Sequence, residues 1–275
     1  MGREIIILGG GNLGLAFARG LAGDRPPGIG AVTVVERDAG RRDIVLNDGE
    51  KVVSGLESQL PFGAIVVIAV KPSDVETLSQ SLYPRLKTDS IVVSCVAGLS
   101  LTTLSGFLGG HRRLVRCMPN LAASCRQSIT AFFAKEELSA DDVSLVGALL
   151  SRIGAVVKID DEELMHAITA ISGSGPGYLA WMADVMVKAS IELGIPAPVS
   201  HQLVQHTFNG LAHLMLDSEL SPAEIWKRVS SPNGTTQAAI GRLEDNRVAD
   251  SLREAIIRAA DRSRELGQEG EAKAG

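Results

Sequence analysis

The chain has 275 residues, a formal net charge of −5 at pH 7 and 45% hydrophobic residues. This composition is typical of a globular protein, and the length is enough for one large domain or two modest ones. Lysine and arginine form no basic stripe, so a nucleic-acid partner is not expected. No uninterrupted apolar run approaches the roughly 18 residues of a membrane span, so no membrane association is expected either.

Cysteine usage and the start of the chain predict a cytoplasmic location. The first apolar run begins at about residue 4, which leaves no room for a signal peptide in front of it. The three cysteines, Cys95, Cys117 and Cys125, contain no C-x-x-C pair, and this pattern fits a reducing compartment. Because Cys95 and Cys117 lie in apolar runs, we interpret them as small buried side chains. The five histidines show no clear metal-ligand spacing, and no metal site is expected.

The first half of the chain alternates short apolar runs with helical patterns. The apolar runs, rich in isoleucine and valine, occupy residues 5–8, 32–35, 65–70, 91–96 and 114–116. Continuous apolar runs of this length are typical of strands that are buried on both faces of a parallel sheet. The helical patterns between them occupy residues 13–22, 75–86 and 101–108. This alternation predicts a doubly wound α/β domain.

The character of the sequence changes near Asp160. A helix that begins after Ser139 and a short strand at residues 155–159 complete the α/β pattern. Beyond Asp160 the pattern is helical, and no convincing strand follows. We therefore predict two domains, residues 1–160 and residues 161–275, the second of which is all helical.

A glycine-rich segment follows the first predicted strand directly. Residues 9–14 read Gly-Gly-Gly-Asn-Leu-Gly and fit the pattern G-x-G-x-x-G. In such a loop Gly9 permits the tight turn, Gly11 lets a pyrophosphate approach the backbone, and Gly14 lets the next helix pack on the sheet. The position between a strand and a helix favours a dinucleotide site over a merely structural turn.

Two charged residues follow the second predicted strand. Glu36 is suited to accept hydrogen bonds from the adenosine ribose, which favours NAD. Arg37 is suited to pair with a 2′-phosphate, which favours NADP. The two residues point to different cofactors, and the sequence leaves both alternatives open.

The segment at residues 229–237 is the most informative one outside the glycine loop. It reads Val-Ser-Ser-Pro-Asn-Gly-Thr-Thr-Gln and leads into a predicted helix that begins near Thr235. Hydroxyl groups and free backbone N–H groups therefore cluster at a helix N-terminus, which suits a bound carboxylate. Local chemistry alone leaves this interpretation and an ordinary helix cap equally open. A second glycine-rich segment, residues 172–176, is interpreted as a break between two helices.

These segments together resemble one enzyme family. The matching residues are 9–14, 69–72 (Ala-Val-Lys-Pro), 118–120 (Met-Pro-Asn), 172–178 (Ser-Gly-Ser-Gly-Pro-Gly-Tyr) and 231–236. In this order they resemble the pyrroline-5-carboxylate reductases, and the resemblance covers about residues 4–267. It implies NADPH-dependent reduction of the C=N bond of 1-pyrroline-5-carboxylate to L-proline, with NADH as the other usable cofactor. This is the last step of proline biosynthesis.

The resemblance also implies an architecture and an assembly. Residues 1–160 would form a dinucleotide-binding Rossmann domain, and residues 161–275 a helical substrate-binding and dimerisation domain. The helical domains would intertwine into a homodimer, often assembled further into a ring such as a decamer. The apolar predicted helices at residues 178–193 and 199–216 fit such burial.

The resemblance assigns roles to individual residues. Contact with the dinucleotide is implied for Gly9, Gly11, Asn12, Leu13, Gly14, Val70, Lys71, Pro72 and Asn120, the last near the nicotinamide. Contact with the cyclic imino acid is implied for Glu219, Ser231, Gly234, Thr235 and Thr236. We choose Thr236 as the hydroxyl that orients or donates to the ring nitrogen.

Three departures from the family pattern keep other functions open. Asn233 replaces a usual glycine, although asparagine tolerates a left-handed backbone and the loop is expected to form. Gly177 replaces a common alanine, and Leu56 stands where an asparagine often contacts the ribose. The alternatives are a reductase of another cyclic imino acid, a β-hydroxyacid dehydrogenase with Lys188 as catalyst, and a non-catalytic NAD(P)-binding regulator.

Overall fold

A computed structural model describes residues 2–23, 25–48, 51–56 and 59–274, with side chains as far as Glu269. The chain forms two compact units: Met1–Ser174 together with Arg258–Gly275, and Gly175–Ile257. The change of unit at Ser174 lies later in the chain than the domain boundary predicted at residue 160. That domain boundary stays a prediction.

A single sheet dominates the first unit. Within the described residues its strands are β1 (Arg3–Leu8), β2 (Ile29–Val35), β3 (Lys51–Val53), β4 (Ile65–Ile68), β5 (Ile91–Ser94), β6 (Leu114–Met118), β7 (Ser128–Ala134) and β8 (Gly154–Lys158). They lie in the order β3-β2-β1-β4-β5-β6-β7-β8. All neighbouring pairs are parallel except β6 and β7, which are antiparallel. This confirms the predicted doubly wound α/β fold.

Helices make up the rest of the regular structure. They are α1 (Asn12–Leu21), α2 (Ala39–Asn47), α3 (Val75–Leu82), α4 (Leu101–Phe107), α5 (Ala140–Leu150), α6 (Leu164–Ile168), α7 (Gly175–Glu192), α8 (Ala197–Asp217), α9 (Pro222–Val229), α10 (Thr235–Asp245) and α11 (Val248–Ala274). The predicted break at residues 172–176 coincides with the change from α6 to α7. A π-helical turn, Thr169–Gly173, follows α6, and Ser174 keeps helical dihedral angles before α7.

The two faces of the sheet bury two separate apolar clusters. Successive side chains of a strand point to opposite faces, so Ile5 and Ile7 enter one cluster while Ile6 and Leu8 enter the other. The first cluster packs against α1 and α5, and the second packs against α3 and α4. This explains why the strands read as unbroken apolar runs instead of alternating ones.

A carboxylate at the start of α5 ties this helix to the sheet. Asp142 accepts hydrogen bonds from Arg3 and Arg113, each at 2.6 Å, and it forms a capping box with Ser139. Its side chain is only 8% exposed. Burial would raise the pKa of Asp142, but the hydrogen bonds from Ser139 and Arg113 and the charges of both arginines together lower it.

We expect Asp142→Asn to lower the free energy of unfolding by about 2 kcal/mol at pH 7, because two partly buried guanidinium groups lose their counter-charge. Since the folded pKa is depressed, the stabilisation by Asp142 is present above the ordinary aspartate pKa of about 3.9. It is lost as the pH falls through the folded value. Urea unfolding between pH 7 and pH 3 measures both effects. The exposed neighbour substitution Asp141→Asn serves as the control, and equal losses in the two variants would contradict the assignment.

The second unit exposes a large apolar surface. Along α7 the exposed side chains include Leu179, Trp181, Val185, Met186 and Ile191, and along α8 they include Val199, Leu203, Leu211, Leu214 and Met215. Trp181 is 67% exposed. Large apolar side chains left exposed along two neighbouring helices favour a protein interface. None of the helices in the described part of the chain is long and apolar enough to cross a bilayer.

Candidate functional site

The candidate dinucleotide site lies where the sheet reverses its strand order. The chain leaves β1 to form β2 and β3 on one side, and it then returns to place β4 on the other side of β1. In open α/β sheets ligands bind outside the carboxyl ends of the strands at this switch point. Gly9 follows β1 there, and Val70 follows β4. The backbone N–H of Ala69 donates to the carbonyl of Leu8 at 2.9 Å, so the two strand ends lie side by side.

The three glycines of the loop have the geometry that their positions predict. Gly9 has a φ of +104°, which favours glycine. A Cβ atom on Gly14 would lie 1.8 Å from the carbonyl oxygen of Gly9, so only glycine permits this contact between helix and strand. A Cβ on Gly11 would meet only Nη1 of Arg41, at 3.9 Å. The space over Gly11 is therefore a cradle that a side chain would fill, and it suits a pyrophosphate.

Helix α1 starts directly at this cradle. Gly11 is its N-cap residue, and no described side chain caps its first-turn amides. Free N–H groups and the helix dipole there favour a bound anion. The residues of the loop therefore fit the diphosphate of a nicotinamide dinucleotide.

The Glu36 carboxylate stabilises the glycine loop through hydrogen bonds to backbone amides. One of its carboxylate oxygens accepts a hydrogen bond from the Gly10 N–H at 2.8 Å, and the other accepts one from the Asp38 N–H at 2.9 Å. Both oxygens are thus engaged by the backbone of the loop and of the turn after β2. The predicted contact of Glu36 with a ribose stays a prediction.

Arginines surround the same turn. Arg37 is exposed, and Arg41 occupies the first turn of α2 with its guanidinium close to Gly11. Arg42 donates to the carbonyl oxygen of Glu36 at 3.1 Å. The sequence prediction of a phosphate partner named Arg37 but missed Arg41. The N-cap residue Asp38, three positions earlier, places Arg41 in the first helical turn and could have identified it.

A cleft of about 260 Å³ lies beside the loop in the first unit. Its lining includes Asn12, Leu13, Cys95, Met118, Pro119, Asn120 and Gly173. The structure therefore brings Asn120 next to Asn12 and Leu13, although it is more distant in the sequence. All three are predicted dinucleotide residues. The Asn120 side chain accepts a hydrogen bond from the Ala122 N–H at 3.0 Å, which fixes its orientation in the cleft.

The remaining predicted dinucleotide residues follow β4. Val70 is partly buried and would lie 3.1 Å from a Cβ on Gly9, so it packs against the loop. Lys71 is the N-cap residue of the short 3₁₀ helix Pro72–Asp74, and both Lys71 and Pro72 are exposed. Leu56, in contrast, packs with the second apolar cluster.

Two of the cysteines differ in their surroundings. Cys117 is buried, which confirms its interpretation as a core side chain. Cys95 packs against the first apolar cluster but is only partly buried, and it lines the cleft. Among the residues that the structure describes, no three histidine, cysteine or acidic side chains are placed to hold a metal ion.

The second candidate ligand site belongs to the second unit, at the start of α10. Asn233 has a φ of 57°, which confirms that asparagine takes the left-handed backbone of this loop. Its N–H donates to the side-chain oxygen of Gln237 at 2.7 Å. Gly234 is the N-cap residue of α10, and it has no side chain to bond the first-turn amides. This N-terminus is therefore open to an external acceptor such as a carboxylate.

The side chains of this loop are suited to contact a ligand. Ser231 and Thr235 are exposed, and Thr236 is half-buried. Neither threonine hydroxyl forms a hydrogen bond within the described residues, so both are available to a ligand. A Cβ on Gly234 would lie 2.4 Å from the Ser231 hydroxyl oxygen, so the absence of a side chain at residue 234 leaves room for this hydroxyl. Glu219 is exposed between α8 and α9.

Comparison with known proteins identifies the family of this chain. Residues 162–266 match the family model described as pyrroline-5-carboxylate reductase dimerisation, and residues 4–98 match the model described as NADP oxidoreductase, coenzyme F420-dependent. The chain is 35% identical to pyrroline-5-carboxylate reductase of Pseudomonas aeruginosa, with 97% of each chain covered. The Synechocystis enzyme of the same name is 30% identical over 98% of this chain and 100% of that relative.

A solved structure extends this agreement to the fold. A pyrroline-5-carboxylate reductase from Coxiella burnetii superimposes with a TM-score of 0.86 at 29% identity, covering 97% of this chain and 99% of that one. The sheet, its switch point and the glycine loop define an oxidoreductase that uses a nicotinamide dinucleotide. With the full-length identity to curated relatives, the chain belongs to the pyrroline-5-carboxylate reductase family.

Proposed function

We propose that this protein reduces the C=N bond of 1-pyrroline-5-carboxylate to form L-proline, with NADPH as the preferred reductant and NADH as a weaker one. The observation that carries the proposal is the open N-terminus of α10, where Gly234 and the left-handed Asn233 leave amides and hydroxyls for a small carboxylate. The names and coverage of the curated relatives support the same substrate.

The chain's own residues bind and orient the reactants. Gly9, Gly11 and Gly14 shape a loop whose amides would hold the diphosphate, and Asn120 would border the nicotinamide. Ser231 and the first amides of α10 would hold the substrate carboxylate, and Glu219 would border the ring. Reduced nicotinamide, when bound, supplies the hydride that adds to the imine carbon. Because a protonated imine is already electrophilic, positioning is the main task of the protein.

Thr236 is the proposed partner of the ring nitrogen. We expect Thr236→Ala to lower kcat/KM for the imine, with a loss of transition-state stabilisation of about 1–2 kcal/mol, because the developing amine loses a hydrogen-bond partner. Thr236→Ser retains the hydroxyl and should recover most of the activity. NADPH oxidation kinetics measure both variants. An unchanged kcat/KM in Thr236→Ala would remove the residue from the mechanism.

The preference for NADPH is proposed to come from the arginines beyond β2. Glu36 already bonds two backbone amides, whereas the guanidinium groups of Arg37 and Arg41 have no ion-pair partner among the described residues. We expect Arg37→Ala and Arg41→Ala each to raise KM for NADPH about tenfold, a loss of roughly 1.4 kcal/mol, and to leave KM for NADH nearly unchanged. Arg19→Ala, which removes the exposed ion pair with Asp48, is the matched control. Equal effects on the two cofactors would contradict a 2′-phosphate role.

The test of the proposed function is absorbance-monitored oxidation of NADPH and of NADH by the pure protein with 1-pyrroline-5-carboxylate. Rapid oxidation with proline as product supports the proposal. Turnover only with a six-membered or substituted cyclic imine would assign a different imino acid.

Oxidation of a hydroxy acid would favour the dehydrogenase alternative. Lys188 gives that alternative little support, because it is exposed and pairs with Asp184 at 2.6 Å. Binding of NADPH without any turnover would indicate a regulator.

The proposed assembly is a homodimer through the helical domain, residues 161–275, which can associate further into a ring such as a decamer. The match to the dimerisation model and the exposed apolar side chains of α7 and α8 support the dimer. We further propose a cytoplasmic location. Light scattering of the purified protein measures the assembly, and a monomer at micromolar concentration would contradict it.

A further inference from the structure

Two thiols lie side by side at the wall of the cleft. Cys95 directly follows β5, and Cys117 belongs to β6. Ser94 pairs with Arg116 in the parallel register of these strands, so the next residue of each strand faces the other. The two sulfur atoms are 3.4 Å apart. Both side chains pack on the same side of the sheet, with the first apolar cluster.

The two thiols differ in their access to the cleft. Cys117 is 1% exposed, whereas Cys95 is partly exposed and lines the cleft. The hydrogen bond with Cys95 and burial raise the pKa of Cys117 well above its ordinary value, so Cys117 remains a thiol that can donate to the Cys95 sulfur. Asn12 and Leu13, the first residues of α1, line the same cleft. Cys95 is therefore the sulfur that a small reagent in the cleft reaches first.

We propose that Cys95 and Cys117 are an oxidative modification site, at which a small hydroperoxide that enters the cleft is reduced and the pair becomes a disulfide. With hydrogen peroxide, the Cys95 sulfur attacks one oxygen, the O–O bond breaks, and the other oxygen leaves as water. The Cys95 sulfenic acid is then attacked by the Cys117 sulfur, and the S–O bond breaks to release a second water. The two thiols lose two electrons and two protons, and the peroxide takes up both.

The strand geometry permits this bond. Neighbouring strands lie about 4.8 Å apart, which is within the range of roughly 4.4–6.8 Å that a disulfide spans between Cα atoms. Side-chain rotation can therefore bring the sulfurs together without separation of β5 from β6. Met118, Pro119 and Asn120 continue from Cys117 along the cleft, so oxidation changes the wall that faces a bound dinucleotide.

The test treats the reduced full-length protein with hydrogen peroxide, blocks the remaining thiols by alkylation and maps the peptides by mass spectrometry. The expected product has lost two hydrogen atoms, contains a disulfide between Cys95 and Cys117, and reverts with dithiothreitol. Cys117→Ser should stop at a Cys95 sulfenic acid that dimedone traps. Cys125→Ser is the matched control: Cys125 is exposed and unpaired, so its removal should leave the reaction unchanged. Oxidation confined to Cys125, or a Cys95 that remains fully alkylatable, would overturn the proposal.

A second measurement tests the route of access, and only this arm rests on the proposed dinucleotide site. At a free NADPH concentration about ten times its Kd, formation of the disulfide in Cys125→Ser protein should slow roughly tenfold, because only the unoccupied fraction reacts. NADPH binding is measured separately by its fluorescence. An unchanged rate in protein shown to bind NADPH would contradict access through the cleft. Absence of binding would instead count against the proposed function.

Discussion

Replacement of Gly14 by alanine is expected to abolish measurable NADPH binding and to destabilise the first unit. The added Cβ would lie 1.8 Å from the Gly9 carbonyl oxygen, and this atom belongs to backbone that cannot rotate away. Either α1 moves off the sheet or the turn at Gly9 opens. Both displacements remove the aligned amides that hold a diphosphate. We expect Kd for NADPH to rise more than about 100-fold, or roughly 3 kcal/mol, with a further loss of about 1–3 kcal/mol in stability.

Substitutions of two other glycines distinguish a loss of NADPH binding from a loss of stability. Gly11→Ala meets no atom closer than 3.9 Å, so it should weaken NADPH binding while thermal unfolding stays unchanged. Gly106→Ala lies inside α4 with open space around its Cβ, so it should leave NADPH affinity unchanged and add about 0.5–1 kcal/mol of stability. Fluorescence titration and thermal unfolding distinguish the three variants. Wild-type affinity in Gly14→Ala would show that the loop does not hold the dinucleotide.

The sheet was predictable wherever burial on both faces made a strand uniformly apolar. β4 and β5 have every residue buried and appear as isoleucine- and valine-rich runs in the sequence. β7 was missed because its buried side chains include Ser128 and Thr130, which interrupt the apolar run with polar residues. β3 and α2 were missed as well. β3 contains only three residues, of which none is buried, and α2 buries a single side chain, that of Val45.

The candidate sites were predictable where backbone conformation restricts the residue type. Gly9 and Gly14 are fixed by a positive φ and by a close contact, so the motif alone identifies them. The role of Glu36 was less predictable, because its hydrogen bond to Gly10 spans 26 residues of sequence and depends on the positions of two strands. The pairing of Cys95 with Cys117 likewise depends on strand order and register, which composition cannot supply.

The second large effect is expected at the other candidate ligand site, from Gly234→Ala. The backbone dihedral angles of Gly234 are open to alanine, but the new Cβ would lie 2.4 Å from the Ser231 hydroxyl oxygen and 3.0 Å from the Ser231 carbonyl oxygen. The Ser231 side chain must turn away, and the loop must widen over the first amides of α10. We expect kcat/KM for 1-pyrroline-5-carboxylate to fall, mostly through a higher KM, with a loss of transition-state stabilisation of about 3 kcal/mol. NADPH affinity and thermal unfolding should stay close to wild type.

A double-mutant cycle tests whether Gly234 acts through Ser231. If it does, Ser231→Ala removes the closest atom that the Cβ would meet and leaves only the carbonyl oxygen at 3.0 Å. The combined variant should therefore be less impaired than the two single losses together predict. Gly241→Ala is the matched control, because it lies in the same helix with open space around its Cβ. Fully additive losses would mean that the Cβ acts on the α10 amides rather than on the serine. A Gly234→Ala enzyme with normal KM for the imine would place the substrate carboxylate elsewhere in the molecule.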